Sequence, residues 1–291
     1  MGWRIVVIKN KSKLDYKMDY LVVRTEEKTT RVHIDEISIL LIESTSVSLT
    51  AYLLAELSRK KVKVIFCDEK CNPVSELCNL YGSHDTSRKV REQIKWNEET
   101  KKIVWAEIVR TKIAGQLSNL DVKCSSEREL LRQYISEILP GDTTNREGHA
   151  AKVYFNALFG TSFSRSDDNM INAALNYGYS ILLSAFNREI TMCGYLTQIG
   201  IFHDNMFNSF NLSCDFMESF RPFVDRLVLK LNLDKFEHEE KIKIANVLNE
   251  TIKINGQNQY IANAIHIYTL SLFDALLEND VSKIKNPAYE L

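Results

Sequence analysis

The apolar pattern of this chain changes period at Pro73. Within the first 72 residues, which hold one glycine and no proline, hydrophobic side chains alternate or run continuously; beyond Pro73 they recur every three to four positions. A switch from a period of two to one near 3.6 builds two kinds of layer, strands first and helices after. Arg4-Ile-Val-Val-Ile8, Tyr20-Leu-Val-Val-Arg24, Arg31-Val-His-Ile-Asp35, the apolar run over 36–42 and Val62-Lys-Val-Ile-Phe66 read as strands. A polar, turn-like stretch over 44–48 leads into one helix marked by Leu49, Leu53 and Leu57.

After Pro73, Val90, Ile94, Ile103, Val104, Ile108 and Ile113 mark two helices within 86–118, and Ser126-Glu-Arg-Glu129 has the form of a capping box opening a third. A break at Pro140-Gly141 precedes a helix through Ala150, Ala151, Tyr154, Phe155 and Leu158. Ala173, Ala174, Gly178 and Ala185 predict a close-packed central helix over 168–192, and further helices are expected over 212–231, 239–252 and 258–277. The expected fold class is α+β, with a small β-rich domain over 1–75, a linker over 76–85 and a larger all-α domain over 86–291. Ten glycines and four prolines in 291 residues agree with long helices and few tight turns.

Charge narrows the function classes. Lys plus Arg (37) nearly balances Asp plus Glu (38), which argues against a uniformly basic nucleic-acid binder held by long-range attraction. The balance is uneven, however: residues 1–80 sum to +2, 81–150 to +1 and 151–291 to -4. A hydrophobic fraction of 45% excludes global disorder. No apolar run approaches the ~18 residues of a membrane span, and no secretory signal is visible. The six cysteines, at 67, 71, 78, 124, 193 and 214, form no paired framework, so a reduced, cytoplasmic protein is expected.

The chain carries no glycine-rich phosphate loop, nucleophile elbow or His-Glu-x-x-His helix. What stands out is acidic. Asp215, Glu218 and Asp225 fall on one stripe of the helix expected over 212–231, a pattern shared by an ordinary solvated face and a ligand site. Pro222, inside that helix, cannot donate to the carbonyl of Glu218, so irregular backbone is expected beside a carboxylate. Glu147 completes Thr144-Asn-Arg-Glu147, a capping-box pattern, and His203 sits in a loop between helices. Two carboxylates and an imidazole are the donors a hard divalent ion takes, Mn²⁺ or Mg²⁺ rather than a closed structural zinc site; spacing alone leaves their convergence open.

Taken in order, Glu147-Gly-His-Ala-Ala-Lys-Val-Tyr-Phe155, Asn172-Ala-Ala-Leu-Asn-Tyr-Gly-Tyr179, His203 and Leu212-Ser-Cys-Asp-Phe-Met-Glu-Ser-Phe-Arg-Pro-Phe-Val-Asp225 resemble the CRISPR adaptation integrase, the universal CRISPR-associated endonuclease family. Residues 37–43, the Ser-Val-Ser-Leu helix start and Val62-Lys-Val-Ile-Phe-Cys-Asp68 extend the resemblance over nearly the whole chain, most like the type II subfamily. The resemblance implies that the all-α domain is catalytic and holds Mg²⁺ or Mn²⁺ on Glu147, His203 and Glu218, with Asp215 as a nearby acidic group. It implies an integrase and endonuclease that inserts short foreign DNA fragments into the CRISPR array by 3′-hydroxyl attack on repeat phosphodiesters. It also implies double-stranded DNA as partner (prespacer and repeat), a homodimer, a small adaptation partner of ferredoxin-like fold and, in type II systems, the effector nuclease and a ring-forming accessory protein. For DNA contact the candidates are the run Arg59, Lys60, Lys61 and Lys63, with Arg31 and Arg146.

Overall fold

A computed structural model describes residues 4–77, 79, 83–231 and 233–289. The chain divides into two compact units, Met1–Gly82 and Ser83–Leu291. Of the linker expected over 76–85, residues 78 and 80–82 lie outside the described residues, and Cys78 with them.

The first unit holds, in chain order, β1 (Arg4–Ile8), β2 (Ser12–Lys17), β3 (Tyr20–Arg24), β4 (Thr29–His33), β5 (Ile37–Ile42), β6 (Val47–Leu49), α1 (Ala51–Arg59), β7 (Lys63–Cys67) and β8 (Pro73–Glu76). One sheet runs β1-β5-β7-β8, parallel except for β8; the other runs β4-β3-β2-β6. All six residues of β5 are buried, which is why this central strand reads as an unbroken apolar run. Leu14 and Leu21 from one sheet, Ile8, Leu40 and Val64 from the other, and Leu53 and Leu57 of α1 share one core. The Thr50 hydroxyl caps α1 by accepting from the Leu53 amide (3.2 Å). Strands β2, β6 and β8 go beyond those expected. β2 offers only Leu14 and Tyr16 as apolar residues, and its turn into β3 uses Met18 and Asp19, at φ 50° and 65°, where an Asn-Gly pair would have signalled a hairpin.

The second unit holds α2 (Thr86–Gln93), α3 (Glu98–Asn119), α4 (Ser125–Glu137), α5 (Arg146–Phe159), α6 (Met170–Met192), α7 (Asn211–Met217), α8 (Arg221–Leu231), α9 (His238–Ala245), β9 (Thr251–Ile254), β10 (Gln257–Tyr260), α10 (Ile261–Glu278) and β11 (Pro287–Ala288). Two long helices organise it. α3, capped by Asn97, packs against α4, α5, α8 and α10, and α6 packs against α7, α8, α9 and α10 as its small residues led one to expect. None of the described helices is long and apolar enough to cross a membrane.

Three expectations need correcting. The unit is not all-α: β9, β10 and β11 make a small antiparallel sheet, which shortens the helices expected over 239–252 and 258–277. Its turn is Asn255-Gly256, both at positive φ (49° and 74°), and Ile252 and Ile254 face inward while Thr251 and Lys253 face solvent, a period of two. Ser126 makes no capping box, because its hydroxyl bonds the neighbouring Glu127 carboxylate and Cys124 holds the cap position of α4. The helix expected over 212–231 is α7 and α8 joined by a 3-10 turn, Glu218–Phe220, at the place where Pro222 withholds its donor.

Candidate active site

Glu147 enters the site from the first turn of α5. The turn is not closed by the Thr144 box: Asn145, in the left-handed region at φ 52°, accepts from the Gly148 amide (3.3 Å), and the Asp142 carboxylate accepts from the amides of Arg146 and Glu147 (2.9 Å each). Asn145 and Asp142 thereby do the capping and leave the Glu147 carboxylate available. That carboxylate meets Lys112 of α3, whose Nζ lies 2.5 Å from Glu147 Oε1 and 2.5 Å from Glu218 Oε2.

Glu218 stands at the 3-10 turn, almost fully buried, with Arg221 Nε donating to its Oε1 at 2.6 Å. Burial opposes its charge, but Arg221 and Lys112 outweigh burial and hold its carboxyl at about 2. Burial likewise opposes the charge of Lys112, and the carboxylates of Glu218 and Glu147 overcome it and raise the ammonium above the ordinary lysine range. The Arg221 guanidinium also lies over the Tyr179 ring, 4.4 Å from its centroid. α3 reaches this kink because residue 115 is glycine: a Cβ there would sit 2.7 Å from Pro222 Cγ.

His203 is held by Asp215. The amides of Ile201, Phe202 and His203 donate to the Asp215 carboxylate (2.7, 3.1 and 3.0 Å), and His203 Nδ1 lies 2.6 Å from the same group. Three successive amides around one carboxylate form a nest, and a Cβ on Gly200 would close it, lying 2.3 Å from the His203 carbonyl and 2.7 Å from Asp215 Oδ2. Trp105 of α3 stacks on Phe202 (4.2 Å, 5°) and meets the His203 ring edge-on (5.7 Å, 85°). The hydrogen bond to Asp215 raises the His203 pKa, and in the neutral ring it keeps the proton on Nδ1, which leaves the lone pair on Nε2.

Glu147, His203 and Glu218 line one cavity of about 300 Å³, together with Lys112, Gln116 and Arg165. Asp215, Glu218 and Asp225 are 0%, 3% and 2% exposed, so the stripe they form is not a solvated face. Asp225 accepts from the Tyr179 hydroxyl (2.5 Å), and burial pushes its carboxyl up to about 6. As the side chains lie, no three His, Cys, Asp or Glu among the described residues come close enough to share an ion. The donor set nevertheless suits a divalent cation. Two carboxylates already converge on one cation, the Lys112 ammonium, and an imidazole oriented through a carboxylate borders the same cavity.

The basic candidates fall differently. Lys63 is withdrawn from solvent, 5% exposed, with its ammonium 2.5 Å from Glu76: Val62 and Val64 on either side point into the shared core, and the opposite face of β7, which Lys63 shares with Ile65, is buried as well; it offers nothing to a phosphate. Arg59, Lys60 and Lys61 are exposed, Arg59 paired with Glu56 and Lys60 2.7 Å from Asp35. Arg31 is exposed on β4. Arg146 is half-buried, paired with Glu137 (2.9 Å) and lying over the Tyr134 ring. No disulfide joins the described cysteines.

Sequence reasoning passed over Lys112, Arg165 and the charge-holding role of Arg221. A lysine four residues after Ile108, between Val109 and Ile113 on the apolar stretch of its helix, was the available signal for the first.

The fold and this site define a two-part α+β protein whose helical unit closes around a recessed, mixed-charge cleft. The chain belongs to the CRISPR associated protein Cas1 family, whose family model matches residues 5–261. It is 36% identical over 232 residues to the CRISPR-associated endonuclease Cas1 of Neisseria meningitidis serogroup C, covering 79% of this chain and 76% of that one. Its fold is similar to that of a casposase bound to integration product (TM-score 0.78, 17% identity, 96% of this chain and 91% of that chain). It is also similar to a Cas6-RT-Cas1 chain from a complex with Cas2 (TM-score 0.73, 18% identity, 100% of this chain and 36% of that chain).

Proposed function

We propose that this chain is a divalent-ion-dependent integrase and endonuclease of CRISPR adaptation, which joins short foreign DNA fragments into the CRISPR array. The observation that carries the reading is the gathering of Glu147, His203 and Glu218 around one cavity in a chain of the Cas1 family. The casposase similarity favours strand transfer over simple cleavage. In that reaction the fragment's terminal 3′-hydroxyl gives its proton to solvent and bonds to phosphorus at the repeat border, while the bond from phosphorus to the displaced 3′-oxygen breaks and that oxygen takes up a proton to leave as a hydroxyl. No protein nucleophile is required, in keeping with the lack of a nucleophile motif.

Glu147, His203 and Glu218 would hold Mg²⁺ or Mn²⁺, which offsets charge developing on the phosphate when bound. The chain's own groups prepare the place. Asp215 fixes the imidazole of His203, Arg221 keeps Glu218 ionised and oriented, and Arg165 brings a guanidinium to the cavity wall. Double-stranded DNA, both prespacer and repeat, is the substrate. The working assembly is a homodimer with the small ferredoxin-like adaptation partner, the Cas2 type seen beside the Cas6-RT-Cas1 neighbour, in the cytoplasm. In a type II system the effector nuclease and a ring-forming accessory protein would join it.

An integration assay on a repeat-bearing plasmid tests this. Joining is expected to require Mg²⁺ or Mn²⁺ and to fall more than about 100-fold in Glu218→Ala, beyond what loss of an outer-shell group costs. Undiminished joining in that variant would leave a DNA-binding scaffold without chemistry at this cleft.

A further inference from the structure

Between Glu147 and Glu218 stands a charge that the proposed chemistry does not use. Lys112 Nζ lies 2.5 Å from an oxygen of each, and the residue is 8% exposed. Its helix is otherwise committed to the core at this level, with Ile108 and Ile113 fully buried on either side. A lysine is kept in such a place only if its charge is paired, and here both partners are carboxylates proposed to bind the ion. An ammonium offers three donors and no acceptor, so it can take a cation's place between carboxylates but cannot ligate one. Ammonium and divalent ion therefore compete for the same gap.

We propose that Lys112 is a built-in counter-cation of the ion site: it holds Glu147 and Glu218 together while the site is empty of metal, and it leaves the gap when a divalent ion enters. The inference rests on the proposed ion site and concerns how that site is loaded. Arg221 stays on the other oxygen of Glu218, so the carboxylate keeps one orienting partner when the ammonium withdraws. The cavity of about 300 Å³ that Lys112 borders gives its flexible stem somewhere to turn. The arrangement preorganises the carboxylates without metal and lowers affinity for it, so ion uptake is tied to movement of one side chain.

Isothermal titration of Mn²⁺ into wild type, Lys112→Met and Glu218→Ala at mildly alkaline pH tests this, with circular dichroism to follow the fold. Lys112→Met is expected to bind Mn²⁺ about tenfold more tightly or better, to melt lower without metal, and to gain more in Tm on saturation than wild type does. In wild type, labelling of lysines with an acylating ester, read by mass spectrometry, is expected to find Lys112 protected without metal and reactive as Mn²⁺ binds. Equal or weaker affinity in a folded Lys112→Met, or a Lys112 that stays protected in the Mn²⁺-loaded wild type, overturns the displacement. Should Lys112→Met fail to fold, the labelling alone decides. If Glu218→Ala binds Mn²⁺ as tightly as wild type, the ion site itself fails and the role of Lys112 with it; weakened binding there alongside unchanged Lys112→Met affinity overturns only the displacement.

Discussion

Asp225 and Glu218 lie seven residues apart, both buried, and burial is the largest influence on each, yet they titrate in opposite directions. Glu218 has two cations in contact and stays ionised; Asp225 has tyrosine hydroxyls, which only partly offset the loss of water. The folded state therefore binds the Asp225 proton more tightly than the unfolded chain, whose carboxyl titrates near 3.8, and stability falls as pH rises from there to about 6. The loss is about 3 kcal/mol from a shift of roughly two pH units. Asp225→Asn is expected to remove that contribution, so that the wild-type urea midpoint measured relative to the variant's declines across this window, the rise that Glu218 contributes over the same range being common to both. Parallel profiles would mean that the hydroxyls of Tyr179 and Tyr154 offset the burial of the carboxylate in full. None of this was readable as such: the stripe Asp215, Glu218, Asp225 fits a wet helix face equally well, and only the packing of α3 and α6 against α7 and α8 decides otherwise.

At the scale of elements, the site depends on three interruptions of regular structure: the left-handed cap at Asn145, the amide nest after Gly200 and the 3-10 turn before Pro222. The last was legible, because proline's missing donor is a local rule. The first was misplaced, since Thr144-Asn-Arg-Glu147 satisfies the capping pattern while the folded chain turns instead on Asn145, with Asp142 taking the first amides. The nest was invisible, because it joins a loop to a helix residue twelve positions away. Hairpins followed the same division: Asn255-Gly256 announces its turn but lay hidden between helix-like isoleucines, and Met18-Asp19 announces nothing. The nest makes a prediction. Asp215→Asn substitutes an amide nitrogen for one acceptor facing three backbone donors and His203, so the loop loses its anchor. Mn²⁺ affinity by titration calorimetry is expected to drop about 10–100-fold with helix content unchanged; unaltered affinity would show that His203 does not depend on Asp215 for its orientation.

Across the whole molecule, the net charge of -1 conceals segregation, because residues 151–291 carry the excess acid and part of that acid is drawn into the cleft. Basic residues on the first unit survive as exposed groups at Arg59, Lys60 and Lys61, whereas Lys63 is absorbed by Glu76. A plain count of charges in the run could not separate them; the burial of both faces of β7 does. If the exposed three touch DNA phosphates, replacing them with alanine should flatten the dependence of log affinity on log salt by about 0.9 for each phosphate no longer neutralised. Fluorescence anisotropy with duplex DNA over a salt series measures that slope, and an unchanged slope would place the phosphate track elsewhere.

The claim on which the rest depends is that Glu147, His203 and Glu218 bind one ion together. Pulsed electron paramagnetic resonance of Mn²⁺ bound to the protein reads this directly. One coupled imidazole nitrogen that vanishes in His203→Ala is expected, with weakened Mn²⁺ retention in Glu147→Ala and Glu218→Ala. Bound Mn²⁺ without nitrogen coupling, or a signal indifferent to all three substitutions, would contradict it.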